Sequence, residues 1–132
     1  MKGIPWGVWL ALAGVNGFLS VAMGAFAAHG LEAMGDSHAV MLVEKAARYQ
    51  MYGVLGLLIS AWTKGQGMFI LLSDVLGCLN IIAILLFCGS LVLIALFGAP
   101  VAFLAPFGGT AMLAGWLVVV WMGIRVIRRG GV

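Results

Sequence analysis

The sequence predicts an all-α integral membrane protein: a bundle of four transmembrane helices with short loops and both termini in the cytoplasm. Three observations carry that reading. The chain of 132 residues is 64% hydrophobic and 8% charged, with a mean hydropathy of +1.20. Soluble domains carry about a quarter charged residues, and a fold this small leaves too much surface exposed to hide so apolar a composition from water. Four segments also reach the ~20 apolar residues needed to cross a hydrocarbon core, and the basic residues gather at alternate ends of those segments.

The first span is 4–28. Its basic start and the Ala25-Phe26-Ala27 triplet imitate a secretory signal, but Gly3 to Ala28 is uncharged throughout, well beyond the about 7–15 residues of a signal core. The segment is expected to stay as a span. The second, 39–62, follows "GLEAMGDSH", in which Asp36 or Ser37 is a good N-cap. "TKGQG" separates it from the third, 68–97. Gly98, Pro100 and Pro106 then break the chain before the fourth, 107–127, because proline cannot continue a helix and biases its predecessor away from one. There is no room for a second domain, so residues 1–132 are read as one unit.

Orientation follows from the excess of Lys and Arg on cytoplasmic loops. An inside N-terminus puts Lys2, Lys64, Arg125, Arg128 and Arg129 inside, and only Lys45 and Arg48 outside. Residues 29–45 then lie on the outer side. The net charge of +3 comes largely from the C-terminal arginines right after an apolar run, a pattern for anionic lipid rather than nucleic acid. Cys78 and Cys88 both fall inside the third span. At about 1.5 Å rise per residue they lie roughly 15 Å apart, too far for a disulfide, and read as small hydrophobes.

"EKAARYQMY" (44–52) places Glu44, Lys45, Arg48, Gln50 and two tyrosines directly before "GVLGLLISAW". Counting about 20 residues back from Trp62 puts the outer boundary near Val43. Arg48 can then snorkel outward, Glu44 precedes it at the favourable four-residue spacing, and Tyr49 and Tyr52 suit an interfacial belt. The stretch is therefore an interface anchor. Alternatively Arg48, Tyr49, Gln50 and Tyr52 wall an outward-opening site for a ligand or partner, with Glu44 and His29 beside it.

Four stretches match a known pattern: "GAFAAHGL" (24–31), "YQMY" (49–52), "LLFCGSL" (85–91) and "PFGGTAMLAGW" (106–116). Spread in order over all four spans, they resemble the transmembrane protein 256 family, small four-helix membrane proteins also catalogued as domain of unknown function 423. Members usually carry Gly at the position of Ala27 and His at the position of Gly53. A role resting on that histidine would be lost here. The resemblance implies the four-helix fold and a bacterial-type or mitochondrial membrane, with no established activity. A bacterial inner membrane is the expected location.

Among polar residues, Asn16 begins a column at four-residue spacing, Asn16, Ser20, Gly24 and Ala28, with a weaker stripe of Ala111 and Gly115 on the fourth span. Small and polar side chains let membrane helices approach closely and hydrogen-bond across the contact. Asp74 is costly at the bilayer centre, so it is placed at the inner interface, capping a helix from 75 and paired with Arg125 ahead of Lys64 or Arg128. A faint likeness between "AGVNGFLSVAMGAF" and "GCLNIIAILLFCGSL" aligns Asn16 with Asn80. His29, Glu32, Asp36 and His38 share the outer loop but match no metal-ligand spacing. No metal or cofactor is assigned, and His29 is expected to bond the open carbonyls ending helix 1, with Gly30 allowing the turn. The five tryptophans read as belt residues. No phosphate loop, nucleophile elbow or zinc motif is present, so catalysis is not expected.

The leading function is a structural or accessory membrane protein, in a homo-oligomer or a larger membrane complex. The alternative is a small transporter or channel, or a binder of a lipophilic ligand using the Arg48–Tyr49–Tyr52 group. Their discriminant is facing. A pathway requires Asn16, Asn80 and Asp74 to converge on one cavity, whereas a packing protein scatters them.

Overall fold

The computed structural model describes residues 3–130, and every described element is helical. The helices are α1 (Trp6–Phe26), α2 (Ser37–Gly65), α3 (Ile70–Ala83), α4 (Gly89–Phe97) and α5 (Ala105–Arg128). Two π-helical turns extend or join them. Ala27–Leu31 continues α1, and Ile84–Cys88 fuses α3 and α4 into one rod. Three helical stretches, Trp6–Leu31, Ile70–Phe97 and Ala102–Arg128, are long and apolar enough to cross a membrane. α2 has 29 residues, but its first half holds Glu44, Lys45, Arg48 and Gln50 and it is not among the three. Lys2, one of the residues behind the expected orientation, lies outside the described residues.

α2 is the inner helix. It runs antiparallel to α1 along its whole length and packs on its other side against the α3–α4 rod. Asp36 starts it as anticipated, its Oδ1 accepting the Ala39 N–H at 3.0 Å. The turn before it comes later than expected: α1 runs on through His29 and Gly30, and Gly35 takes the positive φ of 75°. At the other end Gly67 (φ 70°) and Phe69 (φ 49°) reverse the chain into α3.

α5 lies along the third rod in a register set by two glycines. A Cβ on Gly108 would collide with the backbone of Phe87, and one on Gly115 would meet Asn80 Nδ2 at 3.2 Å. Seven residues therefore separate the contacts on each helix, the near-seven-residue repeat of close helix packing. Because Gly108 opposes Phe87, α5 begins well short of Phe97, and residues 98–104 fold back to cover the difference.

That repeat corrects the sequence-based stripes. At 100° per residue, a four-residue step drifts 40° round the helix, so a straight column leaves the contact face after about two steps. Asn16 and Ser20 do face α2, but Gly24 has nothing within 4 Å of a Cβ and Ala28 is exposed. The true face of α1 runs Trp9, Ala13, Ser20, Ala27 and Leu31. On α5, Gly115 is buried and Ala111 only half-buried, while Gly108, Met112 and Met122 complete the face.

Candidate functional site

At the end where α2 turns into α3, the Asp74 carboxylate gathers three donors from three parts of the chain. Lys64 Nζ forms an ion pair with it, Trp9 Nε1 donates to Oδ1 at 2.9 Å, and the Ile4 N–H donates to Oδ2 at 3.3 Å. Beside it, the Thr63 and Ser73 hydroxyls are 2.7 Å apart. The expected Asp74–Arg125 pair does not form. Asp74 sits one turn into α3 on the side of α1 and α2, whereas Arg125 is exposed near the end of α5, its guanidinium 5.7 Å from the Trp121 ring centre. Lys64 ends the helix immediately before the turn, so the shortest connection wins. Trp9 likewise departs from the belt: it is 3% exposed, with its ring where a Cβ on Gly77 would fall, while Trp6, Trp62, Trp116 and Trp121 remain exposed.

Near the middle of α1 and α2 a second polar contact joins them. Asn16 Nδ2 donates to the Leu12 carbonyl at 2.9 Å, and its Oδ1 accepts from Gln50 Nε2, also at 2.9 Å. One turn along, the Ser20 hydroxyl donates to the Ala47 carbonyl at 2.7 Å. Gln50 is 4% exposed, and its Oε1 has no partner, the only such buried side-chain N or O atom among the described residues. An unsatisfied buried acceptor costs about 1–3 kcal/mol. Asn16 and Gln50 border a groove of about 470 Å³ between α1 and the α3–α4 rod, otherwise lined mainly by apolar side chains.

A third contact is made by Asn80, 2% exposed. Its Nδ2 donates to the Leu76 carbonyl at 2.8 Å, and the amide fills the space left by Gly56 on α2 and Gly115 on α5. Asn16 and Asn80 thus share one local habit, a bond back to the carbonyl four residues earlier, with the amide turned toward a neighbouring helix.

The "EKAARYQMY" residues do not form one wall. Gln50 points to α1, whereas Tyr49 and Tyr52 stand on another side of α2, with ring centres 5.4 Å apart and Tyr49 4.8 Å from Phe87. With Met112 and Trp116 these aromatic rings line a separate groove of about 350 Å³ against α5. Arg48 and Glu44 are exposed and form no ion pair with each other; Lys64–Asp74 is the one ion pair among the described residues. His29 is exposed, and among the described residues its side chain makes no hydrogen bond to the carbonyls at the end of α1. No three His, Cys, Asp or Glu side chains come together among the described residues. Cys78 and Cys88 are both free thiols.

Sequence reasoning missed Gly108, Gly56 and Gly77 as the points of closest approach. Their signal was present as glycine opposite a polar or aromatic residue, but it is unreadable without knowing the register. Gly53 is another: a Cβ there would meet the Ile84 side chain at 2.7 Å.

The family model described as "Protein of unknown function (DUF423)" matches residues 23–109. A UPF0382 membrane protein of Staphylococcus epidermidis is 41% identical over 58 residues, 44% of this chain and 48% of the relative. A UPF0382 membrane protein of Staphylococcus aureus strain USA300 is 40% identical over the same shares. The aligned part of the chain spans about half the length of these curated relatives. No solved structure gives a significant match. With the family model covering most of an all-helical chain, this protein belongs to the DUF423 family of small membrane proteins, whose function is unknown.

Proposed function

We propose that this chain is a structural or accessory protein of a bacterial inner membrane, assembling with copies of itself or with the helices of a larger complex. Its four rods each cross the bilayer, with both termini cytoplasmic and residues 29–45 outside. Lys64, Arg125, Arg128 and Arg129 at one end of the bundle support that orientation.

The observation that carries the reading is the scatter of its deep polar groups. Asn16 joins α1 to α2, Asn80 fits between α2, α3 and α5, and Asp74 ties the first residues and α1 to the α2–α3 turn. Each is committed to a helix contact, and the groove beside Asn16 takes in neither Asn80 nor Asp74. A transporter or channel using Arg48, Tyr49 and Tyr52 is less well supported, because those residues are separated from both Asn16 and Asp74. No catalytic role is proposed. The outward faces are apolar and exposed: Phe18, Leu85 and Leu117 are each more than half exposed, and a Cβ added to Gly7 or Gly14 of α1 would meet no neighbouring helix within 4 Å.

Benzoylphenylalanine at Phe18, Leu85 and Leu117, with the protein at native expression, tests the proposal by photo-crosslinking in the membrane. A protein adduct of fixed mass from at least one face is expected. Adducts with lipid alone from all three faces would overturn it.

A further inference from the structure

α5 packs along the α3–α4 rod and hardly touches α2, so a groove of about 580 Å³ stays open between α2 and α5 beside the α2–α3 turn. Its apolar walls include Ile59 and Trp62 of α2, Phe69 of the turn, and Val119, Met122 and Val126 of α5. α2 and α5 both run antiparallel to the rod and so end on the same side, where Gln66 caps α2 and lines the groove, and Arg129 caps α5. The groove spans 59–66 on one helix and 119–126 on the other, a length of about 10 Å at ~1.5 Å per residue. A Cβ on Gly123, in the α5 wall, would meet nothing within 4 Å, so the space there is open.

Arg129 stands at the mouth of this groove. It follows Met122 and Val126 on the stripe of α5 that faces the groove, and helical side chains lean back toward the N-terminus, here into the groove mouth. Its guanidinium lies 5.7 Å from the ring centre of Phe69, a groove residue held at a positive φ of 49° that bulky side chains rarely adopt. No carboxylate among the described residues pairs with it. Asp74 is taken by Lys64, while Glu32, Asp36 and Glu44 lie near the start of α2, at the opposite end of the bundle. The groove is thus apolar along its length and cationic at one end, the complement of a lipid with a negative headgroup. Arginine also matches a phosphate with paired, charge-assisted hydrogen bonds. We infer that the groove holds an acyl chain of an anionic phospholipid, with the lipid phosphate against the Arg129 guanidinium. This goes beyond the assembly role and does not depend on it.

The test uses the full chain in detergent micelles with phosphatidylglycerol and phosphatidylcholine of the same acyl chains, at equal mole fraction. Native mass spectrometry reads which lipid is retained. Phosphatidylglycerol is expected to be held about 5-fold more tightly, the worth of one arginine beside an anionic headgroup. Arg129→Gln should remove that preference. Arg125→Gln removes the same charge but should keep it, because the Arg125 guanidinium lies over Trp121, which is not in the groove wall. Gly123→Leu should lower the retention of both lipids while far-UV circular dichroism shows the helices intact, since the added side chain enters open space. Equal retention of the two lipids by the unmodified chain overturns the inference. A preference lost equally in Arg125→Gln and Arg129→Gln, the mark of diffuse surface charge, overturns it too, as does retention unchanged by Gly123→Leu. A groove covered by a second copy of the chain would show in the same spectra as a dimer without lipid, and that result also overturns it.

Discussion

Replacing Asp74 with leucine removes the acceptor that three donors share. Lys64 is left unpaired with its side chain 8% exposed, and the Trp9 indole N–H loses its 2.9 Å partner. Removing one member of a buried ion pair typically costs about 3–5 kcal/mol, and a hydrogen bond to a charged group is worth about 1.5–3 kcal/mol. These overlap, because one carboxylate makes both, and the Ile4 N–H makes a long contact, at 3.3 Å. The expected loss for Asp74→Leu is therefore about 3–5 kcal/mol in total. Lys64→Met should cost less, since the carboxylate keeps Trp9 and Ile4. The double variant should be more stable than Asp74→Leu alone by at least about 1 kcal/mol, the signature of a coupled pair. Arg125→Gln should stay within about 0.5 kcal/mol. Unfolding by sodium dodecyl sulfate in mixed dodecyl maltoside micelles, followed by far-UV circular dichroism, gives all four values. A loss below about 1 kcal/mol for Asp74→Leu, or no relief from Lys64→Met, would mean that the Lys64–Asp74 pair does not hold this end of the bundle. So would a large effect of Arg125→Gln.

The same assay checks the register of the bundle. Gly108→Ala should destabilise by about 1–3 kcal/mol or more, because the added carbon meets the Phe87 backbone, which cannot swing away. Gly109→Ala should be nearly neutral, since its nearest neighbour is Phe87 Cδ2 at 3.9 Å. Ser20→Ala should cost about 0.6 kcal/mol, and no more than about 1.7, the range for side-chain hydrogen bonds between membrane helices. Ala28→Leu, at the fourth member of the column expected from sequence but exposed in the structure, should change nothing.

What the sequence made legible was set by composition and by local chemistry. Apolar length located the rods to within a few residues, and Asp36 announced the start of α2 because an N-cap is decided within three residues. The partner of Asp74 was harder to read, because charge spacing alone does not tell whether the carboxylate faces α1 or α5. Gln50 was singled out, but with the wrong company. It lies one residue from Tyr49, and on a helix one residue is 100°, enough to send the two side chains to different neighbours. The π-helical turns at Ala27–Leu31 and Ile84–Cys88 had no sequence signature at all, since nothing local distinguishes a five-residue turn from a four-residue one.

The proposed function requires this chain to assemble with other helices in the membrane. Native mass spectrometry of the protein released at native expression into nanodiscs tests it most directly. A fixed stoichiometry, either a homo-oligomer or a complex with larger subunits, is the result expected. A lone monomer across the concentrations found in its membrane would rule out assembly as its role.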